Sequence, residues 1–212
     1  MLERFTWFRQ SAYRWEGDGR VVYIDPWQAE GPPADLILIT HAHQDHYQPE
    51  EIERLRKQDT SLVAPHDVAR ELRGEVTPVA PGDAVEVAGV KVQAVPAYNI
   101  VEQRLEAHPK ANNWVGYILT LGGTDYYHAG DTDHLPELEQ VRARVAFLPI
   151  GGDPYVMDPD QAGALARAIS PDVAVPMHYG YVIGSPVDAE RFAKAAAPVT
   201  VQTLQPVRPF ER

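Results

Sequence analysis

The chain has 212 residues, 44% of them hydrophobic and 23% charged, enough for one domain with a sizeable core and without a biased tract. Its formal net charge of −11 argues against a binder of the nucleic-acid backbone, which needs a clustered basic face. It contains no cysteine, which excludes disulfides, thiolate metal ligands and a cysteine nucleophile.

The first residues, MLERFTWFRQSAYRW, carry charges at Glu3 and Arg4 and lack the apolar core of a signal peptide. No stretch approaches the ~18 apolar residues of a membrane span. The expectation is a cytoplasmic protein with no membrane or nucleic-acid partner, organised as a single domain over 1–212.

In chain order, RVVYID (20–25) and DLILIT (35–40) read as buried strands bounded by Asp, Pro and Gly. PEEIERLRKQ (49–58) reads as a helix, with Pro49 in the first turn, acids after it and bases near its end. A second short helix is predicted over 66–74, closed by Gly74. VTPVA, AVEVAGVKVQAVPA and WVGYILTLGGTDYYHAG (114–130) follow as β-rich runs, and Gly122-Gly123 signals a hairpin.

VAFLPI (145–150) is a predicted strand, and 158–170 a helix with Asp158 as N-cap and Pro159 at N1. Strand 172–178, helix 188–197 and a last strand VTVQTL complete the list. Antiparallel runs first, then alternating strands and helices, suggest two sheets with helices outside them. The polar segment 97–113 lacks a strand pattern, and a loop of that length in a compact domain is usually functional or disordered.

Three of the eight histidines, His41, His43 and His46, fall within THAHQDH, directly after an apolar strand, with Asp45 among them. In extended chain, residues two apart point the same way, so His41 and His43 can chelate one ion together. Asp45 and His46 follow round the turn and reach a second ion, or the other side of the first. Imidazole and carboxylate suit Zn²⁺, and also Mn²⁺ or Fe²⁺. Asp131, after YYHAG, and His178, after VAVPM, are polar groups placed where apolar strands stop, as ligands at the mouth of an α/β sheet are.

YIDP (with Asp25), THAHQDH, YHAGDTD (127–133) and PMHYG (176–180), in this order, resemble the metallo-β-lactamase superfamily over nearly the whole chain. Within it, the chain is similar to the small branch containing ascorbate-phosphate lactonase-like hydrolases. The resemblance implies an α/β fold, a four-layer αβ/βα sandwich, with two divalent metal ions at one edge. It implies His41, His43, Asp45, His46, Asp131 and His178 as metal ligands, with Asp131 bridging the ions and His178 completing the second site. It also implies that Asp25 supports the histidine loop without touching metal.

One position departs from the pattern. The family's further histidine, expected at a strand end before the bridging aspartate, is replaced here by Tyr98-Asn99. His108, nine residues later on the loop, and the more distant His66 are the candidates to stand in for it. His108 and Asp45 are also the candidate catalytic residues, Asp45 to orient a water or take its proton. Tyr98, His108, Lys110, Tyr155, Tyr179 and the backbone of 151–153 are candidates for recognising a small anionic substrate.

The expected activity is that of a metal-dependent hydrolase, in which a metal-bound hydroxide cleaves a lactone, phosphodiester or related ester-type bond. The alternatives are a di-iron oxidoreductase-like protein and a metal-binding member of the fold without turnover. Against the di-iron class stands His43, where that class typically carries glutamate.

Overall fold

The computed structural model describes residues 1–210. Strands β1 (Phe5–Arg9), β2 (Ala12–Gly17), β3 (Arg20–Ile24) and β4 (Ala34–Leu38) are followed by helix α1 (Pro49–Leu55) and strand β5 (Arg56–Pro65). The one-turn helix α2 (His66–Ala69) then leads into β6 (Val76–Val79). These six strands form one sheet in chain order, antiparallel from β1 to β3 and parallel from β3 to β6.

The second sheet has β7 (Ala84–Val87), β8 (Val90–Pro96), β9 (Val115–Leu121), β10 (Thr124–His128) and β11 (Val145–Pro149). Helix α3 (Pro159–Ile169), β12 (Val173–Met177), helix α4 (Asp188–Ala196) and β13 (Thr200–Val201) complete the chain. This sheet is antiparallel from β7 to β10 and parallel from β10 to β13. Each sheet is thus a meander that turns into a parallel half, and the parallel halves carry the crossover helices.

The period-two alternation of the strands sorts their side chains between two cores. Leu36, Leu38 and Trp7 join Tyr117, Tyr126 and Phe147 in the core between the sheets. Their neighbours Ile37, Ile39 and Phe8 point the other way and pack with Ile52 and Leu55 of α1 and Val68 of α2. On the second sheet, Phe147 meets Phe5 and Tyr13 of the first at ring distances of 5.0 and 4.7 Å. α3 and α4 cover its opposite face, with Leu165, Ala166 and Phe192 buried. The layers therefore run helix, sheet, sheet, helix, the sandwich that the sequence implied.

The β9–β10 hairpin turns on Gly122 and Gly123, whose φ values of 56° and 75° are those of the mirror-image turn that fits strand twist. α3 starts on a full capping box, Asp158 accepting from the amides of Asp160 and Gln161 while Gln161 reaches back.

Three expected elements differ. The helix over 49–58 stops at Leu55, because Arg56 begins β5, whose buried run of Ser61 to Pro65 pairs with β4 and β6. The helix over 66–74 is a single turn, since Val68 alone of its own residues is buried and no apolar face sustains it. The last strand shortens to Thr200–Val201. The hairpin of β1 and β2 is an element that the sequence reading did not separate.

Candidate metal centre

Six chain segments converge at one edge of the sandwich, each leaving the end of a strand. The segment after β4 brings His41, His43, Asp45 and His46; the loop after β8 brings His108. Asp131 follows β10, and His178 follows β12. Asp25 follows β3, and Gln10 sits in the turn between β1 and β2. Three of these residues, Gln10, Asp25 and His178, have φ of 43°, 46° and 55°, a left-handed conformation that non-glycine residues seldom adopt and that concentrates at functional sites.

The donor atoms fall into overlapping groups: His41, His43 and His108; His41, His46 and Asp131; and Asp45, His46 and His178. One oxygen of Asp131 links them. Its Oδ2 lies 2.9 Å from Nε2 of His178, 3.4 Å from Nε2 of His108, 3.5 Å from Nε2 of His46 and 3.9 Å from Nε2 of His41. Gly130, at φ 62°, makes that placement possible. A Cβ there would stand 3.0 Å from the carbonyl oxygen of Val115 and 3.2 Å from Cβ of Thr40.

Asp25 orients the imidazoles from behind. Its Oδ1 accepts from the Thr40 amide at 2.8 Å, and its Oδ2 accepts from the Thr40 hydroxyl at 2.6 Å and lies 2.7 Å from Nδ1 of His46. The Thr40 hydroxyl is in turn 3.0 Å from Nδ1 of His41. With Nδ1 of both rings occupied in this way, Nε2 of each faces the cluster as an acceptor. Such carboxylate-backed histidines are the usual partners of metal ions.

The charges in the cluster are mutually balanced. Burial pushes the pKa of His41 well below its ordinary value, and burial together with His108 brings His43 down to about 4. Burial acts the same way on His178 and His46, but Asp131 and Asp45 prevail, carrying His178 up to about 9 and His46 well up. Burial alone would raise both carboxylates, yet these two imidazoles hold Asp131 and Asp45 well below the usual range.

The donor set fits divalent metal. Nε2 of His46, Nε2 of His108 and Oδ1 of Asp131 are fully buried with no hydrogen-bond partner, a costly state for polar atoms. Divalent ions would satisfy all three.

A cavity of about 570 Å³ opens onto Asp45, Asp131 and His178, walled by Trp27, Gln48 and Val182 among others. Its described lining residues include no Lys or Arg. Tyr155 belongs to this wall.

The other recognition candidates lie elsewhere. Tyr98 donates to Glu137 at 2.7 Å, accepts from Lys110 at 3.0 Å, and with it lines a separate cleft. Tyr179 is buried against Trp7 and Phe210, and the Gly152 amide is taken by the carbonyl of Met157. His66 is exposed at the start of α2 and outside the cluster. His128 is buried, with Nε2 2.9 Å from the carbonyl of Ser11.

Gln10 is the site residue that the sequence reading missed. It is fully buried, its Nε2 lies 3.3 Å from Asp45 Oδ2 and 3.3 Å from Nε2 of His178, and its carbonyl accepts from the His178 amide at 3.0 Å. A lone glutamine in a hairpin turn carries no pattern by which to find it.

The family model described as "Beta-lactamase superfamily domain" matches residues 4–178, and the chain belongs to that superfamily. A UPF0173 metal-dependent hydrolase of Methanopyrus kandleri is 31% identical over 231 aligned positions, covering 99% of this chain and all of the relative. Among solved structures, a protein from Parabacteroides distasonis superposes with a TM-score of 0.86 at 32% identity, over 95% of this chain and 92% of that one. A metallo hydrolase from Ignicoccus hospitalis gives 0.76 at 25% identity, over 98% and 95%.

Proposed function

We propose that this chain is a hydrolase working with two divalent ions, most simply Zn²⁺, on an ester-type bond of a small molecule. The observation that carries this reading is the position of Asp131 Oδ2 among four imidazole nitrogens, between two groups of donors. His41, His43 and His108 would hold one ion, Asp45, His46 and His178 the other, with Asp131 shared. Imidazole and carboxylate donors suit Zn²⁺, and Mn²⁺ or Fe²⁺ as alternatives. When bound, such ions supply Lewis acidity, which acidifies water and stabilises negative charge developing on oxygen.

The protein's own groups supply the rest. Asp45 keeps its carboxylate ionised at the cavity wall, so its oxygens accept a hydrogen bond and orient a water molecule. Gln10 restrains that carboxylate through its amide. Trp27 and Val182 offer apolar surface to the substrate's flank, and Gln44 and Gln48 offer amides. With no Lys or Arg among the described lining residues, an anionic group of a lactone or phosphodiester would be met by the ions and these amides.

The test is elemental analysis of protein purified without a histidine tag, alongside His178→Ala. Close to two ions per chain, falling in the variant, is expected, together with metal-dependent turnover on a panel of lactones, phosphodiesters and phosphomonoesters. Absence of metal after incubation with Zn²⁺, Mn²⁺ or Fe²⁺ would overturn the reading.

A further inference from the structure

His108 reaches the cluster from a segment with almost no regular structure. Between β8 and β9 the backbone forms only two single turns of 3-10 helix, Glu102–Arg104 and Lys110–Asn112. A metal ligand must nevertheless be held to within a fraction of an ångström. What fixes this one is a buried polar network centred on Arg104.

Arg104 is 3% exposed. Its guanidinium donates to Asp133 Oδ1 at 2.6 Å, to Asp153 Oδ1 at 2.5 Å and to Gln161 Oε1 at 2.8 Å. The other oxygen of Asp133 accepts from the amides of Ile100 and Val101, each at 2.8 Å. Asn99 closes the loop on itself. Its side-chain amide donates to the carbonyls of Arg104 and Tyr155 and lies 3.1 Å from Nδ1 of His108, while its backbone amide donates to the His108 carbonyl. Asp133 also stands two residues from Asp131, so one short turn presents a carboxylate to the imidazoles and another to the arginine.

We propose that Arg104 is a positioning residue of the metal centre: by clamping the 99–108 loop to Asp133, Asp153 and Gln161, it sets where His108 stands beside His41 and His43. Lysine would keep the charge but not the fork that meets three acceptors at once. The inference rests on the reading of these histidines as a metal site, and the experiment separates the two.

Metal-free wild type, Arg104→Lys, His108→Ala and the double variant are titrated with Zn²⁺ against a chromophoric chelator, with circular dichroism as the check on folding. Arg104→Lys is expected to weaken the affected Zn²⁺ site by about tenfold, and His108→Ala by more. The double variant should match His108→Ala, because a clamp has nothing left to position once the imidazole is gone. Wild-type affinity in Arg104→Lys would overturn the proposal. So would a loss that persists undiminished in the His108→Ala background, since a merely structural arginine would give that. If Arg104→Lys does not fold, Asp133→Asn, which keeps an oxygen for the two loop amides, is read by the same rule. A wild type that binds no Zn²⁺ would instead sink the metal site itself.

Discussion

Nδ1 of His46 and Oδ2 of Asp25 stand 2.7 Å apart, both side chains wholly buried, and Asp25 is itself outside every group of metal donors. The carboxylate fixes which nitrogen of His46 carries the proton, and through the Thr40 hydroxyl it does the same for His41. Asp25→Asn keeps the shape but loses the charge and offers a donor on one side. Zinc affinity should fall by roughly 10- to 100-fold, the range typical of lost partners behind metal-bound histidines. Chelator competition at constant pH measures it, and an unchanged affinity would show that Asp25 serves the turn after β3 alone.

Gln10 makes a separate prediction for the Asp45–His46–His178 group. Gln10→Asn tolerates the left-handed backbone at φ 43° but draws the amide back from Asp45 and His178. The backbone link from Gln10 to the His178 amide is kept. The variant should fold and bind Zn²⁺ at this group several-fold less tightly. Isothermal titration of the metal-free protein distinguishes this from a uniform loss at both sites.

Gly130→Ala tests whether the turn before Asp131 is as tight as it looks. The added methyl would press on the Val115 carbonyl and on Thr40, at a φ of 62°. The left-handed conformation alone costs an L-residue about 1–2 kcal/mol. Urea unfolding should show at least that loss, and metal content should drop because Asp131 shifts with its backbone.

How much of this was legible follows from where each residue's partners lie in the sequence. His41, His43, Asp45 and His46 were readable because one strand end and the turn after it set their geometry. Asp131 and His178 were readable because each ends an apolar strand. His108 was visible as a candidate but its place was not, since the loop's path depends on Arg104 meeting Asp133, 29 positions away. Tyr98 and Lys110 were assigned to recognition by chemistry alone, and the same loop turns them into another cleft. β5 escaped because Arg56 to Gln58 read as a continued helix, while pairing with β4 made its start strand. The layers themselves were legible in the order of the elements, antiparallel runs first and then alternating strands and helices, and in the family resemblance.

His128 gives the molecule a pH dependence that can be isolated from the metal donors. It is buried between the sheets beside Tyr13 and Phe147, and burial holds its pKa below the ordinary 6.5. Above that value the ring is neutral both folded and unfolded, so it adds no pH dependence. Below it the unfolded chain takes up a proton that the folded protein refuses, and stability falls as pH drops toward the folded pKa. The slope this one group adds cannot exceed about 1.4 kcal/mol per pH unit, the value for one proton. His128→Gln retains a donor for the Ser11 carbonyl and cannot titrate. Urea unfolding of the metal-free proteins from pH 7.5 to 5 should therefore show wild type losing more stability than the variant, with the two curves diverging only below about pH 6.5. Parallel curves across the range would mean that His128 takes its proton in the folded state as readily as in the unfolded one.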